Sequence, residues 1–361
     1  MTLETTALEG VHLSLGATMT DFAGWNMPLR YSSDREEHEA VRNRAGMFDL
    51  SHMGQVRVEG PDAGKLLDYA LVNVLSEMPI GRARYSLMVN EDGGILDDLI
   101  VYRNDETDFL VIANAANRLT IVDELTSRSN GMQVAIQDNT HSRVLIAVQG
   151  PLSADIVASV VDDRERLLEL GYYRHDQFVI AGMPVHIART GYTGECGYEI
   201  MADANGAEKL WNLLTEAGGE RMQPCGLAAR DTLRLEAGMP LYGHELTAAQ
   251  KPADVGQGRV VKLDHDFVGG DAIREAGEPE TALYGLKGEG RRAARAGSVL
   301  SIDGTELGVI TSGVLSPTLG YPIALAILPP GLEEGQPVTA NVRGKDQPMT
   351  ITSLPFYKST N

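Results

Sequence analysis

Cysteine is almost missing from this 361-residue chain: Cys196 and Cys225 are its only two, and they do not form a Cys-x-x-Cys pair. That excludes a disulfide-stapled scaffold, makes a cysteine zinc site unexpected, and fits a reduced, cytoplasmic protein. Positive charge is scarce as well. Lys and Arg number 31 against 50 Asp and Glu, a formal net charge of −19, so neither nucleic acid nor an anionic membrane is an expected partner. No apolar run approaches the ~20 residues of a membrane span. Met1 to Thr6 carries neither a basic region nor an apolar stretch, so no secretory leader is expected. The chain also lacks a histidine pair at metal spacing, a nucleophile elbow, a Gly-Lys-Ser/Thr phosphate loop and a dinucleotide fingerprint.

What is present suits a globular protein of two or three domains. Hydrophobic residues make up 43% and charged residues 22%, enough to build sizeable cores. Asp34 to Arg44 is polar and helix-prone, and Pro61 to Leu71 places Ala63, Leu66, Leu67 and Ala70 at helical spacing. Arg143 to Gln149 reads as a buried strand, with two more strands between Phe178 and Arg189. Asn205 to Gly218 reads as a helix with an Ala207, Leu210, Trp211 and Leu214 stripe and a glycine stop. Strands and helices interleave with hairpin-like turns, which favours an α+β fold over a doubly wound parallel sheet. Beyond residue 275 the pattern changes to short strands punctuated by Gly and Pro. That reads as a separate all-β barrel or sandwich, with 248–271 as the connection.

The stretch Gly93 to Tyr102 places two adjacent acids, Asp97 and Asp98, in an apolar β-branched run. Asp92-Gly93 is a favoured hairpin dipeptide, so the run is expected to return beside a strand over Tyr85 to Val89. Alternation then separates the two acids and puts Asp98 on one face with Ile100 and Tyr102. A carboxylate among apolar neighbours costs free energy unless it is partnered or used. The alternative is that one Asp caps the turn and the other is solvated at a strand edge.

Other constellations are weaker alone. Arg189 to Glu195 is glycine-punctuated, open to close ligand approach or to a plain hairpin turn. Arg230 and Arg234 lie one helical turn apart, suited to gripping carboxylates or to tying the helix to its own domain. Asp21 to Pro28 and Phe48 to Gly54 concentrate large side chains in a chain with 6% aromatics; they suit a cleft for a flat heterocycle or packing at a domain junction. His52 by itself reads as a structural histidine. Lys287, Arg291, Arg292 and Arg295, opposed only by Glu289, form a local basic stretch open to a carboxylate ligand or an acidic partner.

In order along the chain, the motifs Asp21-Phe22-Ala23-Gly24-Trp25 to Pro28, Gly46-Met47-Phe48-Asp49 to Met53, Gly93 to Tyr102, Gly191 to Glu199, Ala229-Arg230-Asp231 to Gly238, Tyr242-Gly243-His244-Glu245 and Thr311-Ser312-Gly313 to Gly320 resemble the glycine cleavage T-protein (aminomethyltransferase) family. The resemblance implies a three-domain, cloverleaf-like α+β fold with ferredoxin-like, antiparallel domains and a C-terminal β-barrel. Residues 1–52 and 140–250 would form a discontinuous first domain, 53–139 an inserted second, 251–275 a connection and 276–361 the barrel.

The implied reaction takes an aminomethyl group from the lipoyl arm of the carrier H-protein, releases ammonia, and passes the one-carbon unit to tetrahydrofolate. No metal is implied. By resemblance, Asp98 is the essential acid, Glu199 pairs with pterin N–H donors, Tyr102, Asn114 and Tyr192 line the folate pocket, and Arg230 holds a carboxylate or carbonyl. Gln257 and Arg259 depart from the apolar residue and tryptophan common among relatives, and Cys196 falls at a variable position. Two other readings share the fold. One is a folate-binding protein without glycine cleavage, whose Lys-Gly-Cys-Tyr/Phe-x-Gly-Gln-Glu motif is absent here, the nearest segment being Leu241 to Glu245. The other is a folate domain serving a flavin oxidase, for which no dinucleotide fingerprint appears.

Overall fold

The computed structural model describes residues 2–359; Met1, Thr360 and Asn361, at the ends of the expected first and last domains, lie outside them. Three large sheets organise the described residues, beside a two-stranded antiparallel sheet of Thr18–Phe22 and Trp25–Arg30. The first has six strands in the order His175–Ile180, Met183–Ala188, Gly197–Asp203, Arg143–Gln149, Ala45–Asp49 and Met222–Pro224. All its pairs are antiparallel except the last. The second has five antiparallel strands in the order Ala83–Val89, Ile95–Arg103, Asp108–Ala113, Gly54–Glu59 and Ala135–Asp138. The third closes on itself as a six-stranded barrel between Ala282 and Thr352. The fold is therefore α+β with a C-terminal barrel, as the sequence led us to expect. Among the described residues no helix is long and apolar enough to cross a membrane.

Period-two alternation decides what each sheet face buries. In the first sheet, Val144, Ile146, Val148, Tyr198, Ile200 and Ala202 pack with Leu210, Trp211 and Leu214 of the helix Ala207–Gly218. In the second, Leu99, Val101, Phe109, Val111, Val56 and Val58 pack with Leu66 and Leu67 of one helix and Ile121 and Leu125 of another. The opposite faces meet each other: Leu145, Ala147 and Met201 from the first sheet join Tyr102, Leu110 and Ile112 from the second. Each fully buried large side chain contributes about 1.5–3 kcal/mol, so this shared core fixes the two sheets as partners. The helix Leu227–Glu236 crosses the seam. Ala229 and Leu233 enter the shared core, while Leu235 packs against Val314, Ile323 and Leu325 of the barrel.

The hairpin expected at Asp92-Gly93 forms, with residues 90–94 between the paired strands. Gly93 has φ +82°, and the Asn90 side chain accepts the Gly94 N–H at 2.8 Å. A Cβ on Gly94 would stand 2.0 Å from the Ala248 carbonyl oxygen. The loop is thus locked to the chain entering the connection, where Leu246, Val255 and Phe267 pack on Val89 and Ile95. The connection itself is two 3₁₀ turns and the short helix Gly270–Arg274.

Candidate active site

Where the two sheets face each other they leave a cavity of about 220 Å³, and all six residues singled out from the sequence line it: Asp98, Tyr102, Asn114, Tyr192, Glu199 and Arg230. They arrive by separate routes. On the strand Ile95–Arg103, the face opposite Leu99 and Val101 carries Asp98, Ile100 and Tyr102, and Asn114 follows the end of the neighbouring strand Asp108–Ala113. On Gly197–Asp203, Glu199 and Met201 lie opposite Tyr198 and Ile200 and so turn from their own helices toward the second sheet. Tyr192 comes from the loop before that strand, and Arg230 from the helix at the seam.

Asp98 Oδ1 accepts from Asn114 Nδ2 at 2.8 Å, and its Oδ2 from the Tyr85 hydroxyl at 3.2 Å. Burial pushes its pKa up to about 6, against those two donors and the Arg230 charge, which favour the carboxylate. It is therefore ionised at neutral pH but close enough to titrate. Neither acid is solvated at a strand edge. Asp97, on the opposite face, is fully buried and accepts from the Asn114 backbone N–H at 3.0 Å, Asn114 Nδ2 at 2.9 Å and Asn117 Nδ2 at 2.7 Å.

Glu199 Oε2 accepts from the Thr190 hydroxyl and, at 3.3 Å, from the Tyr102 hydroxyl. Its Oε1 accepts from no described residue. Burial raises the Glu199 pKa, opposed by the Thr190 bond, the Arg230 charge and the Tyr102 bond. The Tyr192 hydroxyl donates to the Pro240 carbonyl, and its ring lies under the Arg230 guanidinium, 4.8 Å from Cζ to centroid.

The two arginines of the seam helix divide the roles left open by the sequence. Arg234 is 1% exposed and structural: it pairs with Glu245 at 3.1 Å and Asp231 at 2.8 Å, and donates to Ser312 of the barrel at 2.8 Å. Arg230 lines the cavity and forms no ion pair among the described residues, and burial lowers its pKa. A desolvated guanidinium without a carboxylate is a ready receptor for a ligand acceptor.

Several cavity residues escaped the sequence reading as site residues: Tyr85, Tyr173, Met53 and Leu241 among them. Tyr85 shares the cavity face because it pairs with Ile100, a relation that strand alternation makes available in advance. Gln257, a departure from the family pattern, also lines the cavity. Of the two aromatic-rich segments, only Met53 reaches it; Trp25 instead stacks on His141 at 5.3 Å, packing at a junction. His52 is buried and edge-on to Phe22, but neither ring nitrogen has a partner among the described residues, so it is not the satisfied histidine expected. Burial, then the Arg230 charge, lowers its pKa to about 3, so the ring is neutral.

Two facing sheets, a cavity between them lined by Asp98, Glu199 and Arg230, and a barrel packed at the seam define a class, an α+β protein with an internal ligand-sized site and a C-terminal barrel. Residues 8–265 match the family described as the GCVT N-terminal domain, and residues 282–358 the glycine cleavage T-protein C-terminal barrel domain. The chain belongs to the glycine cleavage T-protein family, the aminomethyltransferases. It is 50% identical to the aminomethyltransferase of Cutibacterium acnes over 99% of both chains. With that of Streptomyces avermitilis the identity is 52%, over 98% of this chain and 97% of the relative. The crystal structure of glycine cleavage system aminomethyltransferase T from Bartonella henselae superposes with a TM-score of 0.92 at 37% identity, over 99% of this chain and 98% of that one.

Proposed function

We propose that this chain is a cytoplasmic, tetrahydrofolate-dependent aminomethyltransferase that accepts the aminomethyl group from the lipoyl arm of the H-protein and releases ammonia. The one-carbon unit passes to two nitrogens of tetrahydrofolate, giving methylenetetrahydrofolate; its bond to the lipoyl sulfur breaks and the arm leaves as the dithiol. The observation that carries this reading is the meeting of Asp98 and Glu199, from two different sheets, in one cavity of a family member.

The residues present fit a reduced pterin. Glu199 has an oxygen without a protein donor, suited to the paired amino and ring N–H groups of the heterocycle. Arg230 has an unpaired guanidinium for a carbonyl or carboxylate on the ligand. Tyr102, Asn114 and Tyr192 form the walls. At about 220 Å³ the cavity is below the ~300 Å³ at which drug-sized pockets begin, so it encloses the ring system and leaves a longer tail outside. Asp98, ionised and held by Asn114 and Tyr85, orients folate nitrogens and stabilises positive charge developing at the transferred carbon.

We further assign 1–52 with 140–250, 53–139, 251–275 and 276–361 as first domain, inserted domain, connection and barrel domain. The exposed Lys287, Arg291, Arg292 and Arg295 are the surface at which an acidic carrier would dock on this acidic chain.

The test is ammonia release from aminomethylated H-protein, with and without tetrahydrofolate. Folate-dependent release with an equal yield of methylenetetrahydrofolate is expected. Folate binding without release would replace the transferase reading with that of a folate-binding relative.

A further inference from the structure

We propose that Asp97, which turns its back on the cavity, is a positioning residue for the transfer: it locks the Asn114 amide with Nδ2 on Asp98 and Oδ1 toward the ligand. The inference rests on the aminomethyltransferase reading and extends it to a residue outside the cavity wall.

Asp97 sits on the helix-side face of its strand, among Leu99, Val101 and the residues packed on them, and is fully buried. A carboxylate there is expensive unless every lone pair that matters is used. Its oxygens face three N–H groups: Oδ2 the Asn114 backbone N–H, and Oδ1 the side-chain amides of Asn114 and Asn117. No cation pairs with it among the described residues. Its titratable neighbours are Asp98 on the same strand and Tyr242 from the chain after the seam helix.

The consequence falls on Asn114. One Nδ2 hydrogen points to Asp97 Oδ1 at 2.9 Å, and the other is shared between Asp98 Oδ1 at 2.8 Å and the Asp98 carbonyl at 3.0 Å. Turning the amide over would set its oxygen against two carboxylates and a carbonyl. While Asp97 is ionised, Asn114 therefore has one allowed orientation, with Oδ1 as an acceptor that no described residue occupies, on a residue that lines the cavity. Beside Asp98 this makes a fixed pair of acceptors for ligand N–H groups, held before the ligand arrives.

The geometry needs the ionised form of Asp97. Burial and then the Asp98 charge push its pKa up to about 8, while the Asn117 and Asn114 donors pull it down. The two acids titrate as a coupled pair. As pH falls through the upper step, a proton on Asp97 meets only donors, and Asn114 loses its restraint. An amide at position 97 has the same defect at every pH, because it offers one acceptor oxygen to N–H groups on both sides.

The experiment is calorimetric titration with tetrahydrofolate, with turnover measured in parallel, across the neutral to alkaline range. It uses the full wild-type chain, Asp97→Asn and Asn117→Ala. Wild-type affinity should rise as pH increases through the upper step. Asp97→Asn should bind about tenfold to a hundredfold more weakly and lose that rise. Asn117→Ala, which removes one donor and leaves the charge, should bind a few-fold more weakly and move the rise to higher pH. It also keeps the question decidable if Asp97→Asn fails to fold. Wild-type affinity and pH dependence in either folded variant would overturn the proposal. Because binding is read without turnover, an inactive wild-type chain would count against the transferase reading alone.

Discussion

The hydroxyl of Tyr102, on one sheet, stands 3.3 Å from Glu199 Oε2 on the other. This bond spans the cavity floor and joins the two halves of the site. Removing the Glu199 charge by Glu199→Gln should weaken tetrahydrofolate binding by about tenfold to a hundredfold, the effect of losing a hydrogen bond to a charged group. Tyr102→Phe removes one neutral donor that Thr190 partly replaces, and should cost about 1 kcal/mol or less. Calorimetry on both variants decides the order; equal effects would contradict it.

Arg230 and Arg234 should respond differently. Arg234→Met strands Glu245, itself fully buried, and should destabilise the fold by about 3–5 kcal/mol. Arg230→Met removes a partly buried cation that forms no ion pair among the described residues and acts on Asp98 and Glu199 only through its charge, so thermal stability should fall far less than in Arg234→Met while folate binding weakens. Thermal unfolding of the two variants measures the contrast.

Asp98 links function to stability. Its folded pKa of about 6 exceeds the ordinary 3.8, so the native state holds the proton more tightly than the unfolded state. Stability contributed by that proton is present below pH about 4 and lost as pH rises through about 6, at most roughly 3 kcal/mol. Asp98→Asn should therefore melt at a higher temperature than wild type at pH about 7.5 and converge with it near pH 4. A pH-independent difference would be incompatible with a raised pKa. For the same reason wild-type turnover should decline as pH falls through about 6.

The basic stretch makes a kinetic prediction. Arg292 and Arg295 are exposed, and neither forms an ion pair among the described residues. Reversing both to Glu should raise the KM for H-protein and flatten its salt dependence, with the folate KM unchanged. An unchanged carrier KM removes the patch from consideration.

How far the sequence could be read depends on how local the cause is. Strand alternation alone separates Asp97 from Asp98 and sets Asp98 beside Ile100 and Tyr102. The change to short Gly- and Pro-punctuated strands after residue 275 anticipates the barrel. The burial of Asp97 is not legible in that way, because its donors come from Asn114 and Asn117 beyond the next strand. Helical spacing puts Arg230 and Arg234 on one face but cannot choose between them; the choice is made by Glu245 and Ser312, brought in by the chain after the helix and by the barrel. His52 shows the same limit, since its lack of hydrogen-bond partners is a property of packing between distant segments.

The most direct test of the central claim is made on Asp98→Asn, by measuring tetrahydrofolate affinity and folate-dependent ammonia release from aminomethylated H-protein on the same preparation. Folate affinity within a few-fold of wild type, with release reduced by about a hundredfold or more, is the outcome expected of a carboxylate that acts on the transferred carbon. Release at the wild-type rate would contradict the account.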